Sequence, residues 1–139
     1  MIPLENLITE FDDEYRIMHL SASEPIEVKT KLELKELCME VGARLQKYAA
    51  GRRCFMVVNL GAIIIEPDLA DSYAQKVQYL TDNFLYPGGL IRYGYQMTRV
   101  TAKIGYQTGK LKDLFLFPTK YEAYEFLKKL KNSPDYNFK

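Results

Sequence analysis

The sequence predicts an α/β domain built on a mixed, mostly parallel sheet. Three observations carry that expectation. An apolar run at 54–58 (CFMVV), resumed at 63–65 (III), is bounded by turn formers and rich in β-branched residues, as a strand covered on both faces would be. Stripes of apolar residues at three- and four-residue spacing lie on either side of it, the mark of amphipathic helices. Strand-like and helix-like stretches then alternate in the order β-β-α-β-α-β-α-β-α, which calls for parallel neighbours joined by right-handed crossovers.

Leu7–Phe11 and Tyr15–Leu20 are β-prone runs on either side of Asp12-Asp13-Glu14, an acidic turn, so the chain opens with an antiparallel hairpin. Ser21–Val28, with Pro25, reads as connecting chain. Thr30 and Glu33 have the spacing of a capping box, and Leu34, Leu37, Cys38, Val41 and Leu45 form the stripe behind it, stopped at Gly51. The central strand follows over 54–65, and Glu66-Pro67 ends it. Pro67 suits the first turn of a helix, since it has no N–H to donate. That helix runs over 69–84 on Leu69, Tyr73, Val77, Leu80 and Phe84, with Asp68 as its N-cap and Asp71 in its first turn.

Tyr86-Pro87-Gly88-Gly89 reads as a turn before a strand at Leu90–Tyr95. Met97, Val100 and Ile104 share one helical face. Leu111–Phe117 is the last strand. Thr119 and Glu122 repeat the capping spacing ahead of the stripe Ala123, Phe126, Leu127 and Leu130.

A length of 139 residues fits one domain, placed at 1–131, with a polar tail at 132–139. A net charge of +1 supplies no overall field for nucleic acid, which is therefore not an expected partner. Cys38 and Cys54 form no CxxC pair and His19 is remote from both, so neither a metal site nor another cofactor is expected. The first residues lack a signal-peptide pattern, and no stretch approaches the roughly 20 apolar residues of a membrane span. A cytoplasmic location is the expectation.

The stretch FMVVNLGAIIIEPDLADSYA, at 55–74, resembles the central strand and following helix of SpoIIAA-type anti-sigma-factor antagonists, which share the STAS order of elements. That family reads apolar run, Asp-Leu-Ser-Gly, apolar run, Asp-Ser-Ser-Gly; here Asn59-Leu60-Gly61 stands at the first signature and Glu66-Pro67-Asp68-Leu69 at the second. The ending LFLFPTKYEAYEFLKKL, at 114–130, is similar to the last strand and helix of the broader SpoIIAA-like (STAS/SEC14-type) bacterial proteins. The resemblance implies a SpoIIAA/STAS-like sheet over about 6–131. In the antagonists the second serine of the loop is phosphorylated, and this toggles partner binding. Asp68 stands there instead, so the phospho-switch does not carry over. Asp68 reads either as a helix cap or as a fixed charge of −1 in place of a phosphate's −1.5 to −2.

Two groups of residues are candidates for binding a partner or ligand. Glu66, Pro67 and Asp68 sit where the strand turns into the helix, at the sheet edge where ligands meet α/β folds. Arg92, Tyr93, Gln96, Thr98 and Arg99 belong to a segment, 90–112, that holds five basic residues and no acid. Gln96, Thr98 and Arg99 open the short helix, whose free N–H groups favour an anion that Arg92 and Arg99 would bridge. The alternative is a solvated basic face. An arginine within a strand needs a partner, and Glu66 or Asp68 is the expected one.

Glu66, Asp68 and Asp71 form the densest carboxylate group, but no second cluster or serine–histidine pair accompanies them, and no catalytic residue is assigned. His19 reads as a structural histidine. Eleven tyrosines without a tryptophan serve either an interface or the core rim. The expected function is a non-enzymatic regulatory or binding domain acting on a protein partner or as a homodimer. The alternative is a carrier or sensor of a small anionic or amphipathic, lipid-like ligand, which predicts a concave pocket containing Arg92 or Arg99.

Overall fold

The computed structural model describes residues 2–94 and 115–132. A hairpin of β1 (Leu7–Asp12) and β2 (Ile17–Ala22) opens the chain, followed by β3 (Ile26–Val28) and helix α1 (Lys31–Ala49). Strand β4 (Cys54–Asn59) and β5 (Ile63–Ile65) lead through a 3-10 turn (Pro67–Leu69) into α2 (Ala70–Phe84). Strands β6 (Leu85–Tyr93) and β7 (Phe115–Phe117) precede α3 (Lys120–Lys131). The helix expected around Met97–Ile104 lies outside the described residues.

A five-stranded sheet has the order β1-β2-β4-β6-β7, so β4 is its middle strand. Only β1 against β2 is antiparallel; β2, β4, β6 and β7 run parallel. The mixed, mostly parallel α/β arrangement is the one the sequence predicts.

Three local expectations change. The central strand is not continuous over 54–65: it breaks at Asn59, whose Oδ1 accepts from Gly61 N at 3.0 Å, and β5 joins β3 in a separate two-stranded parallel sheet. Part of Ser21–Val28 is therefore strand β3 rather than connecting chain. Tyr86–Gly89 is not a turn between elements but a bulge inside β6, because Cys54 pairs with Leu85 whereas Met56 pairs with Leu90. Only glycine fits the bulge at 89, where a Cβ would meet Tyr86 O at 2.7 Å and the Phe55 ring at 3.2 Å.

Alternate strand residues face opposite layers. Met18, Leu20 and Met56 pack under α1 and α2 with Leu34, Leu45 and Leu80. Ile17, Phe55, Val57 and Ile91 pack under α3 with Ala123 and Leu127. Thr30 makes the full capping box with Glu33, and Thr119 Oγ1 accepts from Glu122 N at 3.2 Å.

Two arginines bind the carbonyl ends of helices, where cations suit both the unpaired oxygens and the dipole. Arg16, at φ 56°, donates to Ala49 O at 3.0 Å and Arg53 O at 3.3 Å, closing α1. Arg53 donates to Thr81 O, Asp82 O and Leu85 O, closing α2. Among the described residues, no helix is long and apolar enough to cross a membrane.

Candidate functional site

The chain beyond β5 forms a rim at the end of the small sheet. Glu66 N donates to Val28 O at 3.1 Å, and Leu69 N donates to Glu66 O at 3.0 Å, so the main chain of the turn is held at both ends. Buried Leu69 anchors the turn from within. Glu66, Pro67 and Asp68 themselves are exposed, as is Asp71 one turn further on.

Asp68 does not cap the helix. Pro67 opens the 3-10 turn, Leu69 takes the N-cap position of α2, and no side chain caps that end. Among the described residues, the carboxylates of Glu66, Asp68 and Asp71 make no side-chain hydrogen bond or ion pair. A carboxylate left in water with no internal duty is available to an outside cation.

Arg92 lies elsewhere. It is 2% exposed, and its Nη2 donates to the Tyr73 hydroxyl of α2 at 2.9 Å, with the guanidinium 6.0 Å from that ring's centre. Neither Glu66 nor Asp68 is its partner, contrary to expectation, since both carboxylates point outward from the rim. An exposed basic face at Arg92 is likewise excluded.

Tyr93, the next residue in β6, faces the opposite layer. Its hydroxyl shares a 2.7 Å hydrogen bond with His19 Nε2, and the two rings stack at 5.7 Å. Tyr124 meets His19 edge-on at 6.4 Å. Glu10, paired across the hairpin with His19, brings Oε1 to 3.9 Å from the otherwise unpartnered Nδ1. Burial, with Lys120 adding to it and Glu10 opposing, lowers the His19 pKa. Burial first, then Asp12, Glu10 and Tyr93, pushes Tyr124 up to about 12. Arg92 and Tyr93 thus have different partners in opposite layers, and neither is bonded to Glu66 or Asp68. Gln96, Thr98 and Arg99 lie outside the described residues.

A feature not read from the sequence lies beneath α1 and α2. A cavity of about 90 Å³ is walled by Leu37, Cys38 and Val41 of α1, by Val58 of β4 and by Ile63 of β5, among other aliphatic side chains. Its polar lining comes from α2: Tyr73, backed by Arg92, and Lys76 one turn along. Leu37, Cys38, Val41 and Tyr73 read singly as members of apolar stripes, and Val58 and Ile63 as strand residues, so only their convergence shows the void. Among the described residues, no group of three or more His, Cys, Asp or Glu is placed to hold a metal ion.

No family model and no curated protein sequence matches the chain. Among solved structures, it is similar to an anti-sigma factor antagonist from Mycobacterium paratuberculosis, with a TM-score of 0.58 over 92% of this chain and 95% of that one. The two are 13% identical, so the likeness is one of fold: the chain has the SpoIIAA/STAS-like fold of that antagonist.

Proposed function

We propose that this chain is a non-enzymatic regulatory domain that acts by binding a protein, either a different chain or a second copy of itself, through the rim at Glu66, Pro67 and Asp68. The observation that carries this reading is a turn held by main-chain bonds at both ends while its carboxylates stay exposed and uncommitted. A preformed surface loses little conformational freedom on association. The solved structure with the same fold is named for antagonising an anti-sigma factor, an action exerted on a protein. With Asp68 at the turn, the charge is permanent, so binding here is constitutive rather than gated by phosphate.

The test pairs native mass measurement with affinity capture from the source cell's lysate, using the wild type and a Glu66→Lys/Asp68→Lys double variant. The wild type forms a dimer or retains a partner, and the double variant weakens it at least tenfold while keeping its circular dichroism spectrum. A strict monomer that retains nothing refutes the reading.

A second reading, a carrier or sensor of a small amphipathic ligand, is favoured by the cavity beneath α1 and α2. Its lining is aliphatic except for Cys38, Tyr73 and Lys76, the mix of apolar wall and few polar groups that small-molecule sites share.

A further inference from the structure

We infer that the cavity takes an alkyl carboxylate, which enters tail-first between α1 and α2 and leaves its head group on Tyr73 and Lys76. The inference rests on the second reading above and gives it a ligand class, an orientation and an entrance.

The entrance is set by two residues. Cys38 and Lys76 line the inner cavity and also an open groove of about 430 Å³ on the outer side of the same two helices. The two spaces therefore lie on opposite sides of these two residues, at the α1–α2 seam. Cys38 is nearly buried and Lys76 half-buried, and the Lys76 charge is close enough to oppose the rise that burial imposes on the Cys38 pKa. A long flexible lysine at the mouth admits a guest by changing rotamer, without a backbone movement.

The chemistry of the guest follows from the lining. An aliphatic void excludes water and accepts an apolar guest. Among the described residues, the charged ones on the inner and outer walls are Lys76 and Lys35, and no acid lines either space. A cationic or zwitterionic head finds no counter-charge there, whereas an anionic head does. Tyr73 strengthens the selection. Its hydroxyl oxygen accepts from Arg92, which leaves its proton to donate into the cavity. Tyr73 and Lys76 are three residues apart on one helix, so a hydroxyl and an ammonium project side by side and match the two oxygens of a carboxylate. Arg92, a buried cation with no carboxylate partner among the described residues, also gains a nearby anion.

The experiment titrates the full chain by calorimetry and thermal melting with butanoate, hexanoate, octanoate and decanoate below their micellar concentrations, and with the matching 1-alkanols. Affinity rises about fourfold for each added methylene until the cavity is full. Octanoate binds at least fivefold tighter than 1-octanol, and at a tenfold excess over its Kd it raises the Tm by about 5 °C. Lys76→Glu weakens octanoate at least tenfold and leaves 1-octanol within twofold; Val41→Phe, which fills the void, removes both. Lys76 is half-exposed and its variant folds, so the test stands even if Val41→Phe does not fold. Absence of saturable binding at every chain length overturns both the inference and the second reading. Equal affinity for acid and alcohol overturns the head-group assignment and leaves the second reading in place.

Discussion

The two faces of the main sheet are made from the same strands and behave differently. The face under α1 and α2 is aliphatic and contains a void, with Arg92 and Tyr73 at its polar end. The face under α3 is aromatic: Phe55 meets Tyr86 at 4.8 Å, Phe117 meets Phe126 at 5.2 Å, and His19 lies between Tyr93 and Tyr124. Flat rings with polar edges stack closely, and the Tyr93 hydroxyl finds His19 at 2.7 Å. Branched aliphatic side chains of α1, α2 and the sheet leave a gap between them instead. One face is thus suited to holding the sheet rigid, and the other to admitting a guest.

The largest expected effect is at Phe55. It is fully buried against Tyr86 and beside the Gly89 bulge, so Phe55→Ala costs about 3–5 kcal/mol by denaturant unfolding. A loss under 1 kcal/mol would mean that the aromatic face is loosely packed. Adding volume there is also unfavourable: Ala123→Leu on α3, at a position with no exposure, costs about 1–3 kcal/mol. The same operation on the other face has the opposite sign. Val41→Ile adds one methylene into the void and stabilises by roughly 0.5–1 kcal/mol. If both additions destabilise alike, the two faces do not differ in packing.

The smallest expected effect is a pH dependence confined to the aromatic face. The His19 pKa lies below its ordinary 6.5 in the folded protein, chiefly through burial, so the unfolded chain binds the proton more readily. The contribution of His19 is therefore complete above about pH 6.5 and declines as pH falls below it toward the folded-state value. Thermal melts between pH 7.5 and 5 show a steeper loss for the wild type than for His19→Asn; parallel curves would contradict the buried placement.

Much of the fold was legible in the sequence because its signals are local. Thr30 with Glu33 and Thr119 with Glu122 announce two helix starts, and the stripes behind them identify the buried faces. Strand β4 declares itself by an unbroken apolar run. What was not legible depends on residues far apart in the chain. Strand β3 is three residues beside Pro25, too short to show a period, and exists because β5 pairs with it. Pro87-Gly88-Gly89 has the composition of a turn, and the chain does bend there, but the strand continues on the far side. The chain at 66–68 leaves a strand, but a strand of the small sheet rather than of the main one, and the cap that the sequence assigns to Asp68 is filled by no side chain. Arg92 was recognised as needing a partner, yet Tyr73 had been counted as one more apolar position of α2.

The break at Asn59 has a consequence for how the molecule opens. Strands β3 and β5 share three register pairs, and β5 is followed at once by the exposed turn, while β4 is paired on both sides. Amides of 63–66 will therefore exchange with deuterium well before those of 55–58, and a tug on the rim will undo the small ladder without disturbing the large one.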